Sequence, residues 1–196
     1  HKLRKTWAFN EKKIENILNP IIKNNWNYYE KDFIESSISG RVNPIGFEKK
    51  VCKIFQRFNF NTKHTGQLTR HSGGGYSDVL AVTKNNEICI LADAKAIKKY
   101  SISSSDKSIM IDSYAKHYKE LLTNESIELE SIIYICGTYG AEAGIKQKCE
   151  DIYRATGKKT SVIDAVNILK LVKFFPGKTK QITVRKIFKS GGVLKI

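Results

Sequence analysis

Two apolar segments joined by a short polar turn decide the fold of this chain. The first reads GGGYSDVLAV over residues 73–82, and the second reads ICILADAK over residues 88–95. Each contains an apolar, partly β-branched run of the length of a buried strand. Residues 84–87, KNNE, predict a tight turn, because asparagine tolerates positive φ. The pattern therefore predicts an antiparallel β-hairpin.

The predicted turn brings two acidic residues together. If Asn85 and Asn86 form a two-residue loop, paired positions sum to 171 and Asp78 lies opposite Asp93. Opposed side chains are about 4.5–5.5 Å apart at Cβ, and like charges placed there destabilise a sheet. A divalent cation between the carboxylates would offset that cost. A bulge between the two acids would break the pairing rule without separating them.

Lys95 belongs to the same group of charges. It lies two residues after Asp93, so the pleat places both side chains on one face of the strand. Two carboxylates and an ammonium then converge, which predicts a phosphodiester site with Mg²⁺ as the cofactor. An Asp followed by a Lys at this spacing is often an ordinary surface pair. The five apolar or Cys residues before Asp93 do not fit that alternative.

The composition indicates a basic protein of ordinary domain size. The 196 residues include 34 Lys and Arg against 19 acids, a formal charge of +15 with a pI near 9.6. Such a surplus favours a polyanionic partner, most simply nucleic acid. An anionic membrane surface is the alternative, but no apolar stretch approaches the ~20 residues of a spanning helix, and no signal peptide opens the chain. We therefore expect a DNA partner and no membrane.

Cysteine and histidine spacing excludes a disulfide or zinc framework. The four cysteines are widely separated, without a C-x-x-C pair, which predicts buried free thiols in a reducing compartment. The four histidines lack zinc-type spacing. Because the chain begins at His1 rather than Met, we expect it to be part of a longer protein.

The first part of the chain is predicted to be a helical lead-in followed by an amphipathic helix. We expect one domain over 1–196, with a basic helical lead-in over 1–42 and a core over 43–196. Residues 47–58 place Phe and aliphatic side chains at i, i+4, i+7, i+8 and i+11, which predicts a helix. Glu48 lies near its start, where an acid either faces solvent and favours the helix dipole or serves a site.

Two loops carry candidate DNA contacts. Residues 60–64 are predicted to form a short edge strand, after which Arg70 and His71 precede the glycines at 73–75. Residues 96–108 are polar and Ser-rich, which predicts a mobile loop in which Lys98 and Lys99 contact backbone phosphates.

The second half predicts alternating helices and strands. A helix is expected over 109–122, with Asp112 and Lys116 forming an i,i+4 ion pair that would ordinarily be surface decoration. Strands are expected over 129–136 and 160–163, and helices over 142–155, 165–174 and 183–189. Alternation of this kind indicates parallel pairing through crossovers. The predicted fold class is α/β, an α/β/α sandwich with a central mixed sheet.

These residues together resemble a known family. An acid early in a helix (Glu48), an Asp opening a strand (Asp78), and Asp93-Ala94-Lys95 ending the next strand are similar to the PD-(D/E)XK nuclease superfamily. The resemblance is closer to the cleavage domains of FokI-type type IIS restriction endonucleases, and it covers nearly the whole chain. Ser77 stands where the superfamily motif has Pro, which should alter the local turn more than the chemistry.

The resemblance implies a restriction-endonuclease-like fold and a role for each matching residue. Asp78 and Asp93, with Ala94, would bind Mg²⁺, for which Mn²⁺ is expected to substitute. Lys95 would orient or activate the attacking water, and Glu48 would assist the metal site. The helix after the catalytic strand would mediate dimerisation, with Asp112 and Lys116 in the interface between two copies.

The resemblance also implies an activity and a cellular location, and two alternative functions stay open. The expected activity is Mg²⁺-dependent hydrolysis of duplex DNA in the bacterial cytoplasm by a dimer, with sequence recognition supplied by a domain or subunit elsewhere. One rival is another nuclease of the same superfamily, such as a junction resolvase or a transposon-associated endonuclease. The other is a non-catalytic basic DNA-binding domain.

Overall fold

The structure, a computed structural model, describes residues 26–38, 42–70, 75–175 and 180–196. The chain divides into two units, residues 1–33 and 34–196. Residues 26–38 are helical (α1). In the first unit the rings of Trp26 and Tyr29 lie 5.6 Å apart, and those of Tyr29 and Phe33 lie 6.2 Å apart. This part of the predicted lead-in is helical, and residues 1–25 and 39–41 lie outside the described residues.

A six-stranded mixed sheet forms the centre of the second unit, and its strands follow chain order from one edge to the other. The first three strands pair antiparallel and the last four pair parallel. Strand β1 is the predicted edge strand. The strands are β1 (Asn61–His64), β2 (Val79–Val82), β3 (Ile88–Lys95), β4 (Glu128–Cys136), β5 (Lys159–Asp164) and β6 (Gly192–Leu194).

The β2–β3 hairpin has the predicted register but a different turn. Val79 pairs with Ala92 and Val82 with Cys89, so paired positions sum to 171 as expected. The amide of Thr83 donates to the carbonyl of Ile88 at 3.0 Å, which leaves a four-residue loop rather than the predicted two. Among the four loop residues, Asn86 alone has positive φ, at 55°, whereas a two-residue type I′ turn needs two such residues. A longer loop removes one residue pair from the end of the hairpin, but the remaining pairs keep their register, so their residue numbers still sum to 171.

Helices cover both faces of the sheet, which confirms the α/β/α sandwich. One face packs against α2 (Pro44–Arg57), α6 (Ala165–Phe174) and α7 (Lys180–Phe188), where Phe188 contacts the Phe55 and Phe58 rings at 5.9 and 6.3 Å. The other face packs against α5 (Glu142–Thr156) and a helical segment after β3. That segment comprises α3 (Ser104–Ile109), a π-helical turn (Met110–Tyr114), α4 (Ala115–His117) and a 3₁₀ turn (Tyr118–Leu121).

Two helices begin earlier than the sequence pattern predicts, because each has a polar N-cap. Helix α2 begins at Pro44, and the Asn43 side chain accepts a hydrogen bond from the Gly46 amide at 2.8 Å. Helix α3 begins at Ser104 after a capping box formed by Ser103 and Asp106. The predicted mobile loop over 96–108 is therefore wrong for its second half. Strand β6 was not predicted, because two glycines, Gly191 and Gly192, stand at its start.

The remaining sequence expectations concern thiols and membranes. All four cysteines are buried and free, as predicted. Burial raises the pKa of the Cys89 and Cys136 thiols to about 12, so these groups stay neutral. No helix in the described ranges is long and apolar enough to cross a membrane.

A bidentate ion pair anchors α7 to the sheet. Arg185 donates from Nε and Nη2 to the two carboxylate oxygens of Glu130, at 2.9 and 2.7 Å. The Glu130 side chain is only 10% exposed. Burial by itself would raise the pKa of Glu130, but the hydrogen bond and charge of Arg185 outweigh it and lower that pKa. The charged pair therefore holds α7 against β4 at neutral pH.

We expect Glu130→Gln to destabilise the chain by about 2 kcal/mol in urea unfolding at pH 7, since it leaves Arg185 without its carboxylate partner. The loss should shrink as pH falls. The folded pKa lies below the unfolded value of about 4.3, so the contribution is present above pH 4.3 and disappears as pH falls through the folded pKa.

The matched control is Glu128→Gln, because Glu128 is 61% exposed and pairs with Lys119 at 3.5 Å. It should cost less than about 1 kcal/mol. Equal costs for the two variants at pH 7 would contradict the anchoring role of Glu130.

Candidate active site

Two carboxyl groups meet where the β2–β3 ladder ends. Val79 and Ala92 are the last pair in the ladder, so Asp78 and Asp93 occupy the next position outward. Their carboxyls lie within hydrogen-bonding reach of each other. The amide of Ala94 also donates to Asp78 Oδ2 at 2.7 Å. The register predicted from the turn thus places the two acids together.

Gly66 allows Glu48, a third acidic residue, to lie close to Asp78. A Cβ atom at Gly66 would lie 2.5 Å from Asp78 Oδ1 and 3.0 Å from Glu48 Oε2. The backbone there is held by amide hydrogen bonds from Thr65 and Gly66 to the Asp78 carbonyl, at 2.8 and 3.2 Å. Any other residue at this position would fill the space between the two carboxylates.

Glu48 is not a solvated charge at a helix end. It is 7% exposed, and its Oε2 lies 2.6 Å from His64 Nε2 on β1. Gln67 donates to the same oxygen at 3.4 Å. Buried carboxylates need such partners. The site is therefore assembled from helix α2, the edge strand β1, the loop after it and the β2–β3 hairpin.

Lys95 lies between two carboxylates. Its Nζ is 2.9 Å from Asp93 Oδ2 and 2.9 Å from Asp106 Oδ1. Burial by itself would lower the pKa of Lys95, but the two carboxylates outweigh it and raise that pKa above its ordinary value. The ammonium is therefore charged at every pH at which the protein would act.

The electrostatics of Asp78 fit a cation site. Burial is the main cause that raises its pKa to about 9, followed by the charge of Asp93 and then that of Glu48, while the Ala94 amide partly offsets them. Without a cation, burial beside Asp93 thus favours the neutral form of the Asp78 carboxyl. Hard carboxylate oxygens are the ligands that Mg²⁺ prefers, usually one or two of them together with waters and phosphate oxygens.

No group of three or more His, Cys, Asp or Glu side chains within the described ranges forms a ready-made metal site. Asp78 and Asp93 are the two neighbouring carboxylates that could hold a metal. The participation of Ala94 stays a prediction. Cys52 is close to this site, but burial, followed by the charges of Glu48 and Asp78, raises the pKa of its thiol to about 11.

The predicted DNA-contacting residues lie on two different segments. Lys98 and Lys99 are exposed in the segment after β3. Arg70 lines a groove of about 540 Å³ with Tyr76 and Glu120. His71 lies outside the described residues. Asp112 and Lys116 form the predicted ion pair at 3.3 Å and are exposed, with side-chain exposures of 66% and 60%.

The helical segment after β3 also supports the loop that leads to Asp78. Ser113 donates to the carbonyl of Gly75 at 3.2 Å, and Tyr76 Oη donates to Glu120 at 2.6 Å. His117 Nδ1 lies 2.7 Å from the other Glu120 oxygen. Hydrogen bonds from Tyr76 and His117, with the nearby charge of Arg70, lower the pKa of Glu120. Its ionised carboxylate therefore holds the residue two positions before Asp78.

Sequence reasoning missed Asp106. The composition of residues 96–108 predicts a mobile loop there, yet Asp106 pairs with Lys95 and lies in the first turn of α3. The signal was present in the spacing Ser103-Ser104-Ser105-Asp106, which is a capping box ahead of an apolar run. That pattern predicts the helix start but not the contact with Lys95, which depends on the sheet.

The chain is similar to known proteins in both sequence and structure. A family model described as "FokI, cleavage domain" matches residues 8–193. A search of curated protein sequences gives no match. Among solved structures, restriction endonuclease FokI bound to DNA superposes with a TM-score of 0.65 at 15% identity, covering 85% of this chain and 30% of that one. The structure of restriction endonuclease FokI gives 0.61 at 18% identity, with 83% and 30% covered.

The fold and the site define a class: a restriction-endonuclease-like α/β/α domain with an acid pair and a lysine at the end of a β-hairpin. Within that class, the chain belongs to the FokI cleavage domain family, because the family model matches nearly its whole length. FokI-like nuclease domains are metal-dependent in general. The chain spans about 30% of the length of the FokI chains that it matches.

We expect Asp78→Asn to raise the Tm of the metal-free chain by about 2–4 °C, because it removes a buried carboxyl from beside Asp93. Mg²⁺ should raise the Tm of the unmodified chain by mass action and have little effect on the variant.

Thermal unfolding with EDTA and with Mg²⁺ measures both effects. Glu125→Gln is the control, since Glu125 is an exposed acid outside the site and should change neither value. A lower Tm for Asp78→Asn without metal, or an undiminished Mg²⁺ response, would show that the two acids are not an electrostatically strained cation site.

Proposed function

We propose that this chain is the DNA-cleaving module of a type II, site-specific restriction endonuclease of the type IIS kind, and that it hydrolyses duplex DNA with Mg²⁺, or with Mn²⁺ in its place. The observation that carries the proposal is the convergence of Asp78, Asp93 and Lys95 at the end of one hairpin. Two acids and a lysine in this arrangement supply what phosphodiester hydrolysis needs.

Each residue of the site has a proposed role. Asp78 and Asp93, with Ala94, would hold the metal, which when bound polarises the phosphoryl oxygens and shields the leaving oxygen. Lys95 directs an N–H group at the attacking water and places its fixed charge beside the phosphate as negative charge develops there. Glu48, held by His64 and Gln67, keeps a second carboxylate beside Asp78. The buried Tyr100 and Tyr134 rings, tilted 35° to each other, lie near Asp93.

The charge distribution supports DNA as the partner. The chain carries +15 overall, whereas the site itself is acidic. Lys98 and Lys99 are exposed three and four residues after Lys95, so they are proposed to contact backbone phosphates beside the scissile bond. Arg70 and His71 are proposed to contact the backbone from the loop before the glycines. Phosphate contacts of this kind make affinity fall steeply with salt.

The proposal extends to partners that the chain does not contain. One copy carries one site, so cutting both strands needs a second copy, and the exposed pair Asp112 and Lys116 is proposed to lie in that interface. Recognition of a DNA sequence is proposed to reside in another domain or subunit, with residues 1–196 acting as one nuclease domain in the bacterial cytoplasm.

We expect the chain to nick and linearise supercoiled plasmid with Mg²⁺ and with Mn²⁺, and not with EDTA. Asp93→Asn and Lys95→Gln should each reduce the rate by about 10²–10³-fold while DNA binding persists, because they remove charge at the reacting phosphate. Glu125→Gln, an exposed acid outside the site, is the control and should cleave normally.

A panel of linear duplex, four-way junction and single-stranded DNA separates the proposal from its rivals. Cleavage of the duplex is the expected result, and a strong preference for the junction would favour a resolvase. If the unmodified chain and Asp93→Asn both bind plasmid and leave it intact, the enzyme proposal fails in favour of a DNA-binding domain.

Charge reversal tests the proposed dimer. Asp112→Lys and Lys116→Asp should each weaken self-association about tenfold, because like charges across two symmetry-related contacts repel. A mixture of the two variants should restore double-strand cleavage, since their interfaces are then of opposite sign. Plasmid linearisation against protein concentration measures this, and unchanged linearisation by each single variant would exclude this surface.

A further inference from the structure

The ammonium of Lys95 is bridged between two elements that are distant in sequence. Asp93 lies on the same strand, whereas Asp106 comes from the first turn of α3. Both carboxylates approach Nζ to 2.9 Å. An ammonium has three N–H donors, so two directed pairs leave one donor whose direction is fixed by the other two.

Asp106 is itself held by several neighbours. Its Oδ2 accepts hydrogen bonds from the Ser103 hydroxyl at 2.7 Å and the Ser103 amide at 3.2 Å, and its own amide donates back to Ser103 Oγ at 2.9 Å. Tyr134 Oη donates to the Asp106 carbonyl at 3.4 Å. The carboxylate that meets Lys95 is therefore a fixed acceptor rather than a mobile surface group.

Hydrogen bonds at residues on both sides of Asp106 connect α3 to α5. Lys107 donates to Asp151 at 3.2 Å, and Lys148 donates to Ser104 at 3.3 Å. These contacts leave α3 little freedom to carry Asp106 away from the strand. The two oxygens of Asp106 also have separate tasks, since Oδ1 meets Lys95 and Oδ2 meets Ser103.

The surroundings of the bridge are aromatic. The Tyr100 and Tyr134 rings lie 5.8 Å apart beside it, and both tyrosines are buried. Burial is the main cause that raises the pKa of each hydroxyl, with the charge of Asp106 among the further causes, so both groups stay neutral. Charge pairs are stronger where water is limited.

We propose that Asp106 is a positioning residue, which shares the Lys95 ammonium with Asp93 and thereby aims its remaining N–H at the reacting phosphate. The inference rests on the proposed nuclease function. Without Asp106 the ammonium has Asp93 as its remaining described partner and would turn toward that carboxylate, which the proposed site needs for the metal. Lys95 would then compete with the metal for the Asp93 carboxylate instead of contacting the substrate.

The test compares Asp106→Asn with Ser103→Ala in the 196-residue chain. Asparagine keeps an oxygen for the Ser103 cap but loses the charge that holds Lys95. Ser103→Ala removes the cap and keeps the pair with Lys95. We expect Asp106→Asn to lower kcat about 10–100-fold with little change in KM for plasmid DNA, because a small displacement of a reacting group costs rate rather than binding. Ser103→Ala should lower kcat much less than Asp106→Asn, because Asp106 keeps its charge and its pair with Lys95, and it should lower the Tm by about 2–4 °C.

A second readout does not depend on cleavage. In the metal-free chain labelled with ¹⁵N-lysine, the Lys95 Nζ resonance is assigned by its loss in Lys95→Gln. It should be observable in the unmodified chain and in Ser103→Ala, where the ammonium is held, and broadened or shifted in Asp106→Asn.

The outcomes separate the inference from the proposed function. An unchanged Lys95 resonance in Asp106→Asn, or equal losses of kcat in Asp106→Asn and Ser103→Ala, would overturn the positioning role. An unmodified chain that does not cleave DNA would overturn the proposed function instead, and the resonance would still decide whether Asp106 holds Lys95.

Discussion

The structure depends on one unfavourable contact, the placement of the Asp78 and Asp93 carboxyls at the end of the same antiparallel ladder. Like charges do not meet in a sheet unless something else holds them. Here the β2–β3 register enforces the contact, and the Ala94 amide compensates only part of its cost. The strained pair is stable because the buried strands β2 and β3 that lead to it over-determine its position. Proteins retain such strain mainly where function uses it.

Other elements of the fold can be understood as supports for that pair. Helix α2 supplies Glu48, and Gly66 leaves the space in which it meets Asp78. The helical segment after β3 reaches the site at three places, through Asp106 to Lys95, Ser113 to Gly75 and Glu120 to Tyr76. The same segment exposes Asp112 and Lys116. One element therefore connects the proposed dimer surface to the hairpin that carries the acids.

The sequence predicted the parts of this site that depend on local spacing. The hairpin register, the mixed sheet and the approach of Asp78 to Asp93 follow from alternation and a polar turn. The type of turn does not follow from the sequence, because the register is the same whether or not the last residue pair before the turn is open. Asp106 was missed for a different reason. Its contact with Lys95 depends on how α3 packs against β3, and no periodicity within residues 96–108 encodes that packing. Likewise, Glu48 could not be distinguished from a solvated helix-end charge until its burial beside His64 was seen.

The most direct test of the account is to locate the cation. Crystals of the chain grown with Mn²⁺ would show, by anomalous scattering, where the ion binds. We predict one principal peak between the carboxylates of Asp78 and Asp93, with the Lys95 ammonium still paired with Asp106. An absent peak at saturating Mn²⁺, or a principal peak elsewhere on the chain, would contradict the claim that these two acids are held together to bind a metal.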